Sequence, residues 1–337
     1  MNDKILLNHG SGGKLTHNLI SNLFVKYFDN PILKQQTDSA LLKIDSALIA
    51  FTTDSYVVDP IFFLGGNIGK LAVCGTVNDL SVSGAEPKYI SCGFIIEEGL
   101  LFTDLEKIVK AMAEEAKKAG VLIVTGDTKV VDKGKCDKLF INTSGIGLLD
   151  EKRKDISFGK NIVAGDKIII NGDIADHGTA ILCARNSVEY SSDILSDCAP
   201  LNHLIKKALN SSQQIKFMRD ATRGGLATVL CELAEKNNFG ICIEESMIPV
   251  KENVRGLCEV FGFDPLYMAN EGKVVMVVGK EDAEKVLAEI QKDENGKNSA
   301  IIGEITEDNK GMLIMKTSIG GKRIVDMLAG EQLPRIC

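Results

Sequence analysis

Apolar residues recur along this chain at two spacings, and the two alternate. Ser46 to Thr53 and Leu139 to Leu149 are rich in β-branched and apolar residues and predict strands. Between them Leu105, Ile108, Val109, Met112 and Ala116 fall at helical spacing and predict a helix over Thr103 to Lys118. Thr103-x-x-Glu106 reads as a capping box at its start, and Gly120 as its stop. A less regular helix is predicted over Gly65 to Gly84, with Ile68, Leu71, Ala72 and Gly75 on one side and glycines that permit close packing. Around Asp150 to Gly165 the chain turns charged and polar, and a new strand is predicted over Lys167 to Asn171, so a domain boundary falls there. Beyond it Leu226, Val229, Leu230, Leu233 and Ala234 form a helical stripe, Lys273 to Val278 a buried strand, and Glu281 to Gln291 a helix. Glu331 to Cys337, with Pro334 and no partner pattern, is predicted to emerge as an extended tail.

Composition narrows the class. A chain of 337 residues divides into about two domains, and its mixture of elements predicts an α+β or mixed α/β fold. Hydrophobic residues at 45% and charged residues at 25% exclude a disordered chain, and no apolar run approaches the ~20 residues that span a bilayer. A net charge of -7 disfavours a general nucleic-acid or anionic-membrane role, so any phosphate must be held locally. The nine cysteines are scattered without C-x-x-C spacing, which predicts reduced thiols and a cytoplasmic location.

Several segments carry candidate chemistry. His9-Gly-Ser-Gly-Gly13-Lys14 could wrap a phosphate with its backbone, but it is not a Walker A loop, since Asn8 and Leu15 stand where that motif needs glycine and Ser/Thr. Asp54, Asp79, Asp127 and Asp220 sit at strand ends or beside glycines, and carboxylates delivered from several loops suit a hard cation such as Mg²⁺. Lys129 could place a cation over transferring phosphoryl oxygens. Glu271 lies before the apolar strand, beside Gly272, as a general base or a turn residue. His177 lies where a strand passes into a helix, and four histidines without paired spacing argue against zinc. Cys337 ends the chain; a prenylation box would need cysteine at position 334, which is proline. A thiol on an extended tail is available for chemistry, and seven residues reach roughly 23 to 25 Å.

With His9-Gly-Ser-Gly-Gly, Thr53-Asp-Ser-Tyr-Val-Val, Val77-Asn-Asp-Leu, Gly126-Asp-Thr-Lys-Val-Val, Met218-Arg-Asp-Ala-Thr-Arg-Gly-Gly and Ala269-Asn-Glu-Gly-Lys, the chain resembles the family of aminoimidazole ribonucleotide synthetase, selenophosphate synthetase and thiamine-monophosphate kinase. The terminal Pro334-Arg-Ile-Cys resembles its hydrogenase maturation branch. The resemblance implies a two-domain α+β fold of the aminoimidazole ribonucleotide synthetase type: residues 1–155 for ATP binding and dimerisation, 156–325 a C-terminal α/β domain, and 326–337 a mobile tail. It implies N-terminal sheets paired across a homodimer. ATP would be bound by His9, Gly10, Gly12, Gly13, Asp54, Asn78, Asp79, Gly126, Asp127, Thr128, Arg219 and Asp220, and Mg²⁺ by Asp38, Asp54, Asp79, Asp127 and Asp220. The implied reaction is ATP-dependent dehydration of a carboxamide on the Cys337 sulfur to a thiocyanate, with Lys129 and Glu271 as catalytic partners. A carbamoyltransferase, HypF, would load the sulfur, and a HypC–HypD complex would receive the cyano group for a [NiFe]-hydrogenase centre. Two alternatives stand beside this: a kinase or synthetase of the same fold acting on a diffusible small molecule, which leaves Cys337 idle, and a scaffold that only presents its tail.

Overall fold

The computed structural model describes residues 13–28, 30–185, 193–328, 333 and 335–337 of the chain. Helical turns α1 (Lys14–Leu19) and α2 (Lys26–Phe28) lead into β1 (Ala40–Ile44) and β2 (Ala47–Tyr56). A small hairpin of β3 (Phe62–Phe63) and β4 (Gly66–Asn67) precedes α3 (Ile68–Val82), β5 (Ala85–Glu97), α4 (Phe102–Ala119), β6 (Leu122–Val131) and β7 (Leu139–Leu149). The longer strands form one sheet in the order β1-β2-β7-β5-β6, in which only β5 and β6 run parallel, as a strand-helix-strand crossover through α4 requires.

Alternation sorts this sheet into two faces. Ala50, Thr52 and Tyr56 of β2 point inward, where α3 and α4 cover them, whereas Phe51 points out. Helix α3 lies so close that an added Cβ at Gly69 would stand 2.5 Å from the Ile108 carbonyl oxygen of α4, and one at Gly75 2.3 Å from the Tyr56 hydroxyl. The predicted glycine packing is therefore real. On the other face Phe51, Tyr89, Ile95, Ile146 and Leu148 are exposed, and the edge strand β6 is exposed for nearly its whole length.

After short 3-10 turns at Glu151–Arg153 and Ile156–Phe158, the second half contains β8 (Lys167–Ile170), α5 (Asp176–Arg185), α6 (Asn202–Ser211), β9 (Ile215–Asp220), α7 (Gly225–Asn237), β10 (Gly240–Glu244), α8 (Glu252–Phe261), β11 (Val274–Val278), α9 (Ala283–Ile290), β12 (Ala300–Thr306), β13 (Leu313–Lys316) and β14 (Lys322–Val325). Its seven strands are ordered β14-β13-β10-β12-β8-β11-β9. Every residue of β11 is buried, because α7 packs on one face of the sheet and α6 and α9 on the other. The two halves are clamped by Asn78 of α3: its Nδ2 donates to the Ala199 and Glu271 carbonyls, and its Oδ1 accepts from Leu201 N.

Two expectations change. Helix α4 is capped at Leu101 without a side-chain bond, so Thr103 lies inside the helix and the capping box does not form. The side-chain cap belongs to α3 instead, where Asn67 Oδ1 accepts from Gly69 N and Lys70 N. The chain end does not emerge into solvent: Val57 N donates to Cys337 O at 3.0 Å and Asp59 N to Arg335 O at 3.3 Å, and Ile336 is buried in the N-terminal core. An apolar isoleucine next to the last residue gives the tail something to bury, which a purely polar tail would lack. Among the described residues no helix is long and apolar enough to cross a membrane. All nine cysteines are free, seven of them buried.

Gly69→Ala is predicted to lower stability by about 1 to 3 kcal/mol through overpacking against α4. Urea unfolding measures this, and an unchanged midpoint would show that α3 can shift away from α4 freely.

Candidate active site

Three carboxylates converge from regular elements rather than from loops: Asp54 from β2, Asp79 from the middle of α3, and Asp220 from the end of β9. Asp79 Oδ2 accepts from Thr52 Oγ1 at 2.7 Å, and Asp54 Oδ2 from the Tyr56 hydroxyl at 3.3 Å. Burial raises the Asp54 carboxyl above its usual range, with Asp79 close enough to interact with it. Burial first, and then mutual repulsion, lifts Asp79 well above the ordinary carboxylate range. Asp220 is pushed up to about 8 by burial, helped by Asp38 and Asp54.

A chain of charges runs beside this cluster. Asp38 Oδ1 accepts from Arg219 Nε at 2.8 Å, Arg219 Nη1 donates to Glu232 Oε2 at 2.7 Å, and Glu232 Oε1 pairs with His17 Nε2 at 2.7 Å. The hydrogen bond to Glu232 raises the His17 pKa and so favours the cationic imidazole. These residues line a cleft of about 1190 Å³ with Arg223, Lys236 and the apolar Phe158, Met312 and Ile324, room enough for a nucleotide.

The chain terminus enters the other side of the cluster. The Cys337 thiol is pushed up to about 12 by burial, eased by the charge of Arg223 and raised further by those of Glu271, Asp54 and Asp220, so the sulfur lies within the electrostatic reach of these groups. Burial lifts Glu271 well above the usual range, and among the described residues its Oε1 has no hydrogen-bond partner. An ionisable group buried and unpaired beside a reactive sulfur suits proton transfer better than fold support. Its peptide is held rigidly: Asp197 Oδ1 accepts from Glu271 N at 3.0 Å, and Asp197 Oδ2 accepts from Gly272 N at 3.2 Å and pairs with Lys273 Nζ at 3.0 Å. Gly272 is required by proximity, since a Cβ there would stand 2.0 Å from the Asp197 carbonyl oxygen.

Not every expected residue joins this centre. Asp127 and Lys129 pair with each other on exposed β6, Nζ to Oδ2 at 2.6 Å. Strand register aligns Asp127 with Gly93, Asn142 and Ser55, the outer face of the sheet, opposite the face that α3 covers. Gly126 and Thr128 lie on the same edge strand. Two-residue periodicity thus separates the aspartates into one buried cluster and one exposed pair. The Asn78 amide is engaged by the backbone of the second half. Gly13 stands at the N-cap of α1, and His9, Gly10 and Gly12 lie outside the described residues. Sequence reasoning missed Arg223, Asp197 and the role of His177. Arg223 was legible as a second arginine before the Gly224-Gly225 pair, whose positive φ values turn the chain into α7.

Comparison with known proteins identifies the family and the fold. Residues 36–149 match the AIR synthase related protein N-terminal domain, and residues 163–316 its C-terminal domain. The chain is 47% identical to carbamoyl dehydratase HypE of Rhodobacter capsulatus, covering 99% of this chain and 98% of that protein. It is also 47% identical to carbamoyl dehydratase HypE of Escherichia coli (strain K12), covering 99% and 100%. Among solved structures, a HypE–HypF complex superposes with a TM-score of 0.86 at 50% identity, covering 92% and 99%. HypE in complex with ATP superposes at 0.82 with 47% identity, covering 99% and 100%. AaThiL complexed with AMPPCP and TMP, at 16% identity and a TM-score of 0.70, shares the fold.

The carboxylate cluster predicts a pH dependence. Unfolded, Asp220 ionises near 3.8, and folded near 8, so between these values the folded state holds the extra proton and stability falls as pH rises. Thermal unfolding of nucleotide-free protein is expected to show Tm declining from about pH 5 to about pH 8, and Asp220→Asn to reduce that slope. An identical slope in the variant would place the proton elsewhere.

Proposed function

The chain belongs to the HypE family of carbamoyl dehydratases, on the AIR synthase related fold, and from that premise we propose that its substrate is carried on its own C-terminal sulfur. It is an ATP-dependent dehydratase of hydrogenase maturation. The observation that carries the proposal is the docking of the chain end against Val57 and Asp59, with Ile336 buried in the N-terminal core and Cys337 packed against it, within electrostatic reach of Arg223 and Glu271. A kinase acting on a diffusible molecule would have no use for a thiol there.

The chemistry follows from what an amide lacks. Its oxygen is a poor leaving group, so transfer of the γ-phosphoryl group of ATP to that oxygen releases ADP and one N–H proton. Loss of the phosphate with the second N–H proton then leaves C≡N on sulfur. Glu271 is positioned to take a proton: it is buried, unpaired and raised, hence a strong base once ionised. Arg223 offers a fixed positive charge that faces both Glu271 and Cys337. The free thiol, raised to about 12 when docked, is a poor nucleophile in place. Loading by a HypF-type carbamoyltransferase therefore belongs to the undocked tail, and dehydration to the docked one. The cyano group then leaves for a HypC–HypD complex.

The donor set fits Mg²⁺ bound together with a nucleotide. Asp54, Asp79 and Asp220 cannot all ionise side by side unless a cation offsets their repulsion. Among the described residues no three such groups form a metal cage by themselves, as expected of an ion that takes one or two carboxylates plus phosphates and water. When bound, Mg²⁺ supplies charge neutralisation on the phosphates. Arg219, fixed between Asp38 and Glu232, lines the same cleft.

We assign the exposed apolar face of the first sheet, with its open β6 edge, to pairing with a second copy, because such an edge invites strand partners. Asp127 and Lys129 then act within that homodimer. The units are residues 1–155, 156–325 and 326–337, and free thiols throughout fit the cytoplasm.

Cys337→Ala is expected to bind ATP normally yet accept no carbamoyl group. Glu271→Gln is expected to load fully and lose water about 10² to 10⁴ times more slowly. Quenched-flow mass spectrometry of the tail peptide reads both, and unimpaired water loss in Glu271→Gln would remove its role as base. Mixing Lys129→Ala with Cys337→Ala chains is expected to restore water loss if Lys129 serves the partner's site. Failure to restore it would place Lys129 in its own chain's reaction.

A further inference from the structure

His177 is fully buried at the start of α5, and both of its ring nitrogens are engaged. Nε2 lies 2.8 Å from the Ile336 carbonyl oxygen, and Nδ1 lies 2.8 Å from Ser196 Oγ. A carbonyl can only accept, so Nε2 carries the proton, and burial keeps the ring neutral. Nδ1 therefore accepts from the Ser196 hydroxyl, whose oxygen in turn accepts from Cys198 N at 3.1 Å. One directed chain of donors runs from the Cys198 peptide through Ser196 and His177 to the tail. Phe63 packs edge-on against the imidazole, ring centroids 5.5 Å apart, and fixes its plane.

We propose that His177 and Ser196 form a latch that seats the C-terminal tail by its main chain, delivering Cys337 to the dehydration site whatever its sulfur carries. This rests on the reading of Cys337 as substrate carrier. Other anchors also grip the tail main chain: Val57 N and Asp59 N donate to the Cys337 and Arg335 carbonyls, and Arg185 Nη2 donates to Arg335 O at 2.6 Å while its Nε holds Asp59 O; the Arg335 guanidinium adds bonds to Val57 O and a pair with Asp137, away from the sulfur. None of these bonds goes to the cysteine side chain. A tail held so docks equally well with a free thiol, a thiocarboxamide or a thiocyanate, which a carrier visiting one site at successive stages requires. Undocking leaves the buried Nε2–H without its acceptor, so the latch favours the seated state and opposes idle exposure of the thiol.

The same short segment seats the base. Ser196 governs the tail through His177, and the next residue, Asp197, holds the Glu271 and Gly272 amides. Adjacent residues thus set the separation between the proton acceptor and the substrate carbon. His177 and Ser196 are positioning residues, since neither reaches the sulfur.

The test uses the full-length chain as wild type, His177→Leu, His177→Gln and Ser196→Ala. Iodoacetamide labelling of Cys337, read on the tail peptide by mass spectrometry, reports docking, and single-turnover water loss after loading with carbamoyl phosphate and HypF reports delivery. His177→Leu is expected to label about tenfold faster and lose water about tenfold more slowly, with the final extent of loading and the ATP affinity unchanged. Gln, whose amide can donate where Nε2 does, is expected to stay within about threefold of wild type. If the Leu variant does not fold, Ser196→Ala carries the same expectation, about threefold in each readout. Wild-type labelling in a folded His177→Leu, or in Ser196→Ala if Leu does not fold, overturns the latch. A wild-type chain that protects Cys337 but never loses water from its adduct overturns the proposed reaction and leaves the latch standing.

Discussion

A short backbone pairing governs this molecule: the last three residues lie against Val57 and Asp59, and that contact decides where the terminal sulfur is. Without it Cys337 would be an exposed thiol with ordinary reactivity, and Glu271, Arg223 and the aspartates would surround nothing. With it, the sulfur is desolvated, which suppresses its nucleophilicity, and lies within electrostatic reach of Arg223 and Glu271. The two demands on the thiol, reactive when loaded and inert when processed, are met by position alone.

The rest of the structure holds that pocket still. Helix α3 presses on the sheet through glycines, which brings Asp79 within reach of Asp54, and Asn78 next to it ties the same helix to the Ala199–Leu201 and Glu271 backbone. The buried Asp197–Lys273 pair fixes the Glu271 loop from behind. Like charges accumulate at the centre because they are held there by packing; the protons they retain mark the place a cation would take. Such strain is tolerated where function needs it.

Much of this was readable beforehand, and the misses have physical causes. β7 falls at Leu139–Leu149 as patterned, and α4 follows its apolar stripe, because both are half-buried elements whose period reports one covered face. The capping box failed because a motif of two residues says nothing about where the preceding backbone bends; the helix had already begun at Phe102. Within one chain Asp127 stands apart from the buried aspartates for a different reason. Residue type and glycine neighbours are local, but which face a strand residue occupies depends on register, and Asp127 faces away. Cys337 and Glu271 stand out in the sequence because a terminal cysteine and a carboxylate beside a glycine are unusual by themselves. The roles of His177, Ser196 and Asp197 do not, since His177 and Asp197 bond backbone atoms far along the chain and Ser196 bonds the His177 ring, contacts that leave no trace in local pattern.

The central claim is that the sulfur at the chain's end is where the amide loses its oxygen. An isotopically labelled carbamoyl carbon followed by NMR, with ATP added to the loaded full-length chain, tests it directly. The account predicts that the amide carbon signal is replaced by a nitrile signal still attached to the Cys337 peptide. A label that remains an amide, or that becomes nitrile only after leaving the chain, would contradict it.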